Sequence, residues 1–179
     1  MIPLSIIIAT TQPWPEVRSC LDSLHYQART VGAEIIVADG HGQGLPDNPS
    51  SLYPEPISLK APGASVFQLR ALAMAQARGE VIAVTEDHYR VSSDWCAQII
   101  LAHKEYPEAA VIGGAVVNGA TETLIDRASF FYANGAAMPP LGTRECKQII
   151  QLNLSYKRRV IPKTVPQHGR MEWIFNHSC

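Results

Sequence analysis

Short apolar runs rich in β-branched residues alternate with segments of helical period along most of this chain, and that alternation leaves few folds open. Residues 5–9 form the first such run, a strand buried on both faces. Thr10 to Pro15 is a loop, and Pro15 suits the first turn of a helix, where its missing N–H costs nothing. Val17, Cys20, Leu21 and Leu24 then recur at i, i+3, i+4 and i+7, one face of a helix that Gly32 ends. Residues 34–38 make a second strand, and the Asp39-Gly40-His41-Gly42-Gln43-Gly44 stretch opens a loop. A Pro- and Ser-rich tract follows, with one short strand expected at 56–59. Ser65 is placed to cap a helix over 65–77, with Gly79 as its stop.

The next strand spans 81–85. Ser92 or Ser93 can cap a helix that carries Cys96, Ile99, Ile100 and His103 on one face. A strand is expected over 109–117, interrupted by Gly113-Gly114. Leu124, Ile125, Ala128, Phe131 and Tyr132 have helical spacing, residues 133–144 read as loop, and 148–156 as a last strand before the basic cluster Lys157-Arg158-Arg159. The βαβ order predicts an α/β fold: a mostly parallel open sheet with helices on both faces.

With 179 residues, one domain with a real core is expected, and 46% apolar and 17% charged residues fit a globular protein. A net charge of -1 gives no basic face for nucleic acid. No apolar run approaches the roughly 20 residues of a bilayer span, so no transmembrane segment is expected. The start reads as a first strand rather than a signal peptide. Cys20, Cys96, Cys146 and Cys179 form no Cys-x-x-Cys pair, which argues for buried or idle thiols in a reducing cytoplasm.

The chemistry concentrates at strand ends. Glu86, Asp87 and His88 directly follow the 81–85 run, at the carboxyl edge where open α/β sheets bind ligands. Carboxylate oxygens suit magnesium or manganese, and imidazole suits manganese. Side chains two apart on extended backbone point the same way, so Glu86 and His88 can converge on one ion. A solvated acidic turn is the plain alternative. Asp39 ends the second strand. Its carboxylate can accept from a base or a ribose hydroxyl, or it can simply turn the chain. Arg70 lies inside the 65–77 helix and needs a partner there, Asp39, Glu86 or a phosphate. The His41–Gly44 loop matches neither the dinucleotide fingerprint nor a nucleophile elbow. Glu172, beside Trp173, can serve as a general base in a dry site, though such an acid is more often exposed. Asn153 is more often a turn or ladder residue than a ligand. His25, His103, His168 and His177 gain no partner from spacing.

In order and spacing these segments resemble the family 2 glycosyltransferases of GT-A fold. Leu4-Ser5-Ile6-Ile7-Ile8-Ala9-Thr10 is similar to that family's first strand and nucleotide loop. Glu34-Ile35-Ile36-Val37-Ala38-Asp39-Gly40 is similar to its second strand, whose last Asp contacts the base. Arg70 and the Gly79-Glu80 pair match a helix that carries an Arg and ends in Gly-Glu. Glu86-Asp87-His88 stands where the family has its Asp-x-Asp metal motif, and the segment containing Asn153 resembles one lining the donor sugar.

The resemblance implies an inverting, hexosyltransferase-like transfer from a nucleotide-diphosphate sugar donor to an acceptor hydroxyl of unknown identity, with a manganese or magnesium cofactor. It implies Thr10, Asp39, Arg70, Glu86, Asp87 and Asn153 as substrate-binding, Glu86 and His88 as metal ligands, and Glu172 as catalytic base. Residues 1–117 would be the nucleotide-binding half and 118–179 a shortened acceptor side of the single domain. The setting expected is cytoplasmic, with the inner membrane surface as the other location considered. Three departures stand out. The metal motif begins with Glu and ends with His, Ala71 replaces an Asn that often follows the helix Arg, and the usual later acidic motif is missing. A non-catalytic module that binds nucleotide-diphosphate sugars is therefore the alternative. A nucleotidyltransferase ranks last, because Thr10 to Pro15 has neither Gly nor Lys to grip a triphosphate.

Overall fold

A computed structural model describes residues 1–45, 56–145 and 153–161. Six strands form one sheet: β1 (Leu4–Thr10), β2 (Glu34–Asp39), β3 (Ile57–Lys60), β4 (Val81–Glu86), β5 (Val111–Gly113) and β6 (Leu154–Lys157). Their order is β3-β2-β1-β4-β6-β5. The first four run parallel, whereas β6 lies antiparallel between β4 and β5. The mostly parallel α/β sheet anticipated from the alternation is therefore present, with an antiparallel pair at one side.

The pleat of β1 divides the core. Leu4, Ile6 and Ile8 pack with Val17, Cys20, Leu21 and Leu24 of α1 (Trp14–Val31) and with Trp95 and Cys96 of α3 (Trp95–Glu105). Ile7 and Ala9 face the other way, onto Leu69, Ala73 and Met74 of α2 (Val66–Gln76). Every residue of β1 is buried, as a strand sheathed on both faces requires. Ser65 and Gln68 form a reciprocal capping box that starts α2. Cys20 and Cys96 are free, buried thiols, and burial pushes both up to about 12.

Several boundaries differ from the sequence reading. The helix expected at Ser92 or Ser93 begins after Asp94. The Ser92 carbonyl instead accepts from Gln27 Nε2 and the Trp95 amide. The 109–117 strand shortens to β5: the Gly114 amide still bonds the Asn153 carbonyl opposite it, but the Val116 amide turns away to the Ala137 carbonyl. Gly79 is not the helix cap, a place that Ala77 takes. Its role is close approach: a Cβ there would lie 2.5 Å from the Ser5 amide nitrogen. Helix α4 (Leu124–Asn134) forms where its spacing predicts. Its apolar stripe nevertheless faces solvent, with Leu124, Ile125, Phe131 and Tyr132 all exposed. Among the described residues no helix is long and apolar enough to cross a membrane.

His103 on α3 is 6% exposed. Its Nε2 lies 2.9 Å from the Ser155 hydroxyl, which itself donates to the Ile112 carbonyl. The hydroxyl's proton is thereby committed, so Nε2 carries the hydrogen. Burial first, then the charge of Lys157, lower this histidine to about 4. Unfolded, it protonates near 6.5. Between those values the unfolded chain binds the extra proton, so stability falls as pH drops from about 6.5 toward 4. The loss expected is on the order of 2 to 3 kcal/mol. Glu34 adds to it. Burial would raise that carboxyl, but the Ser5 hydroxyl and Arg78 outweigh burial and lower it. Urea titrations at pH 7 and pH 4.5 check the assignment: a His103→Asn variant should lose markedly less stability between them than the parent, and an equal loss would refute it.

Candidate active site

The carboxyl ends of β1, β2 and β4 lie side by side. Thr10 pairs in register with Asp39, and Ala9 with Glu86. This edge gathers the polar groups singled out from the sequence, because each strand loses its apolar pattern at the same level.

Thr10, Arg70, Glu86, Asp87 and His88 form one connected network. Arg70, 3% exposed on α2, donates from Nη2 to Glu86 Oε1 at 3.1 Å. Glu86 is thus the partner that the buried cation requires. The other Glu86 oxygen, Oε2, lies 3.5 Å from His88 Nε2. Asp87 is the first residue past β4 and reaches β1 rather than α2. Its Oδ2 accepts the Thr10 hydroxyl at 2.7 Å, and its Oδ1 lies 3.0 Å from His88 Nδ1. The Asp87 charge reaches α1, where it reinforces the effect of burial on the Cys20 thiol. Burial, then Glu86, raises the Tyr89 phenol.

Asp39 borders this network through Thr10, but its carboxylate organises its own loop. Oδ1 accepts the His41 and Gly42 amides at 2.8 and 3.0 Å, and Oδ2 accepts the Gly44 amide at 2.6 Å. Gly42 and Gly44 hold φ of 86° and 75°, a region that suits glycine. Beside Asp39 a crevice of about 10 Å³ is lined by Thr10, Trp14, Val37, Gln43 and Leu45, room for no more than about one water. Trp14 and Gln43 were not singled out from the sequence. Prolines flank Trp14 at a helix start, but no spacing rule marks Gln43.

Asn153 directly precedes β6, whose Leu154 is opposite Val84, so it sits at the same edge. Its amide bridges two elements. Oδ1 accepts from Trp95 Nε1 at 2.9 Å, and Nδ2 donates to the Ala115 carbonyl at 3.0 Å. Glu172 lies outside the described residues, as do Cys146, Cys179, His168 and His177.

Asp39, Glu86 and Asp87 against Arg70 leave the edge acidic, which favours a cation. Among the described residues no cluster of three or more His, Cys, Asp or Glu side chains is arranged to hold one. Two donors do converge. Ligands about 2.1 Å from an octahedral ion in adjacent positions stand about 3.0 Å apart, and Glu86 Oε2 to His88 Nε2 is 3.5 Å. That separation is compatible with two adjacent positions around one divalent ion.

The sequence model of glycosyl transferase family 2 matches residues 5–161. No curated protein matches the chain in sequence. Among solved structures, Staphylococcus aureus TarS 1-349 aligns with TM-score 0.64 at 14% identity, over 98% of this chain and 54% of that one. The same protein in complex with UDP aligns with TM-score 0.60 at 15% identity, again over 98% and 54%. The mannosyltransferase PcManGT from Pyrobaculum calidifontis, in complex with GDP-Man and Mn2+, aligns with TM-score 0.55 at 15% identity, over 93% of this chain and 48% of that one. At these identities the likeness is one of fold, and the chain spans about half the length of those neighbours.

Proposed function

Because the chain belongs to glycosyl transferase family 2, we propose that it transfers a sugar from a nucleotide-diphosphate donor to an acceptor hydroxyl, with inversion and with a divalent cation. The observation that carries this reading is the joined network at the carboxyl ends of β1 and β4, in which Thr10 meets Asp87 and Glu86 meets His88. The complexes of the fold neighbours with UDP and with GDP-Man and Mn2+ support it.

In this reading residues 1–117 bind the donor and 118–179 form the acceptor side. Thr10 and Asp39 border the nucleoside, beside the narrow crevice that Gln43 and Leu45 also line. Arg70 fixes the Glu86 carboxylate so that Oε2 faces His88. Glu86 and His88 would hold manganese or magnesium, which supplies charge neutralisation for the departing diphosphate. Asp87 is kept in place by the Thr10 hydroxyl and orients the His88 ring. Asn153 sits on the donor-sugar side. A carboxylate base, for which Glu172 is the candidate, removes the acceptor proton. The acceptor oxygen then bonds to the anomeric carbon as the bond from that carbon to the diphosphate oxygen breaks on the opposite face.

A thermal-shift panel of UDP, GDP and their sugars, with and without manganese, tests the reading. At a ligand concentration of about 100 Kd the matching nucleotide with manganese should add roughly 2.7 kcal/mol, which is about 5 to 10 °C for a chain of this size. In a Glu86→Gln/His88→Ala variant the manganese increment should vanish. Equal shifts with and without the ion would remove its role, and no shift with any nucleotide would sink the transferase reading. Binding without sugar turnover in a longer incubation would favour the non-catalytic module instead.

A further inference from the structure

A cavity of about 1260 Å³ lies at the other end of the sheet. Its lining includes Arg78, Lys104, Lys157, Arg158 and Arg159, with Glu80 as the acid among them. Lys157 is paired with Val81 at the start of β4, whereas Glu86 ends that strand. At about 3.3 Å per residue the groove is therefore roughly 16 Å from the network described above.

Three of these cations, Lys157, Arg158 and Arg159, are held by backbone carbonyls and, among the described residues, meet no carboxylate. Lys157 Nζ donates to the Tyr106 and Pro107 carbonyls. Arg159 Nη2 donates to the same Pro107 carbonyl at 3.1 Å, and Arg158 Nη1 to the Arg78 carbonyl at 3.0 Å. Of the cations lining the groove, Arg78 has a carboxylate partner, Glu34. Among the described residues Lys104, Lys157, Arg158 and Arg159 have none. Backbone carbonyls orient the side chains but carry no full charge, so each guanidinium keeps N–H groups and net charge for an external anion. His103, which lines the same groove, is lowered mainly by burial and secondarily by the charge of Lys157.

We propose that this groove binds phosphate groups of a multiply charged ligand, at a site separate from the transfer site. The guanidinium forks of Arg158 and Arg159 match phosphate oxygens bidentately, and Lys104 and Lys157 add compact charges. The shared chemistry is the phosphate, carried either by a soluble polyanion or by lipid headgroups.

Calorimetric titration with sodium tripolyphosphate in EDTA tests the soluble source. Co-sedimentation with phosphatidylglycerol/phosphatidylcholine vesicles, against phosphatidylcholine alone, tests the lipid source. Arg158→Gln/Arg159→Gln should weaken binding to the responding probe roughly tenfold or more, since two charge-assisted contacts are lost. Arg158→Lys/Arg159→Lys should retain much of it. Lys104→Gln, an exposed change on the helix surface, should weaken it more modestly and guards against misfolding of the double variant. Glu86→Gln/His88→Ala should leave it unchanged, which separates this site from the proposed transferase site. A response to either probe with that variant pattern supports the groove and identifies its source. Parent protein that binds neither probe, or groove variants that bind as the parent does, would overturn it.

Discussion

Arg70→Leu should cost the fold about 3 kcal/mol, the lower end of what breaking a buried ion pair costs. The guanidinium is buried on α2, and its loss strands the Glu86 carboxylate at the sheet edge. Because Glu86 is 26% exposed, water partly compensates, which sets the estimate at the lower end. The double variant Arg70→Leu/Glu86→Leu should recover much of the loss, since two apolar side chains leave no unpaired charge. A double-mutant cycle from urea denaturation should therefore show coupling of about 1 to 3 kcal/mol. Strict additivity would mean that the two groups do not stabilise each other. The same variant should abolish the manganese increment in the nucleotide thermal shift, because nothing would then hold Glu86 toward His88.

Gly79→Ala is expected to be nearly as damaging, for a steric reason. The added methyl would lie 2.5 Å from the Ser5 nitrogen, 2.7 Å from the Leu4 carbonyl carbon and 2.7 Å from the Ser5 hydroxyl. These atoms belong to β1, which is bonded to β2 on one side and β4 on the other, so they have little freedom to retreat. The clash also disturbs a chain of hydrogen bonds. The Gly79 amide donates to Ser5 Oγ at 2.8 Å, Ser5 donates to Glu34, and Glu34 binds Arg78 through both oxygens. Overpacking of this kind costs roughly 1 to 3 kcal/mol, or about 2 to 10 °C in melting temperature. Differential scanning calorimetry decides it, and melting within 1 °C of the parent would show that the contact relaxes freely.

The parts of the fold legible in the sequence are those set by local pattern. β1, β2 and β4 are continuous apolar runs because helices cover both their faces, and Ser65 as a cap announces α2 four residues before its first buried side chain. What stayed hidden depends on partners distant in sequence. Nothing in residues 154–157 says that they enter between β4 and β5 in the antiparallel sense. The stripe on α4 has the period of a buried face, yet nothing among the described residues covers it. Period reports amphipathicity, not the presence of a partner.

The site was legible to a similar depth. Residues at the ends of β1 and β4 meet because parallel register brings strand ends level, so the gathering of Thr10 with Glu86, Asp87 and His88 follows from the topology. Bonding choices did not follow. For Arg70 the sequence offered three partners, and the geometry selects Glu86. For Asp39 it offered a turn or a nucleoside, and the carboxylate accepts three amides of its own loop. Asn153 likewise spends both ends of its amide on Trp95 and Ala115. Such outcomes depend on separations of a few tenths of an ångström, which no spacing rule carries.

The insertion of β6 beside β4 has a consequence for biosynthesis. When β4 leaves the ribosome it can pair with β1 at once, but the strand that covers its far side is made roughly seventy residues later, several seconds at ordinary elongation rates. During that interval the nascent sheet ends in an apolar strand with bare amides and carbonyls, a template for pairing with another chain. Slower translation should therefore lower the soluble yield, and a chaperone that shields strand edges should restore it.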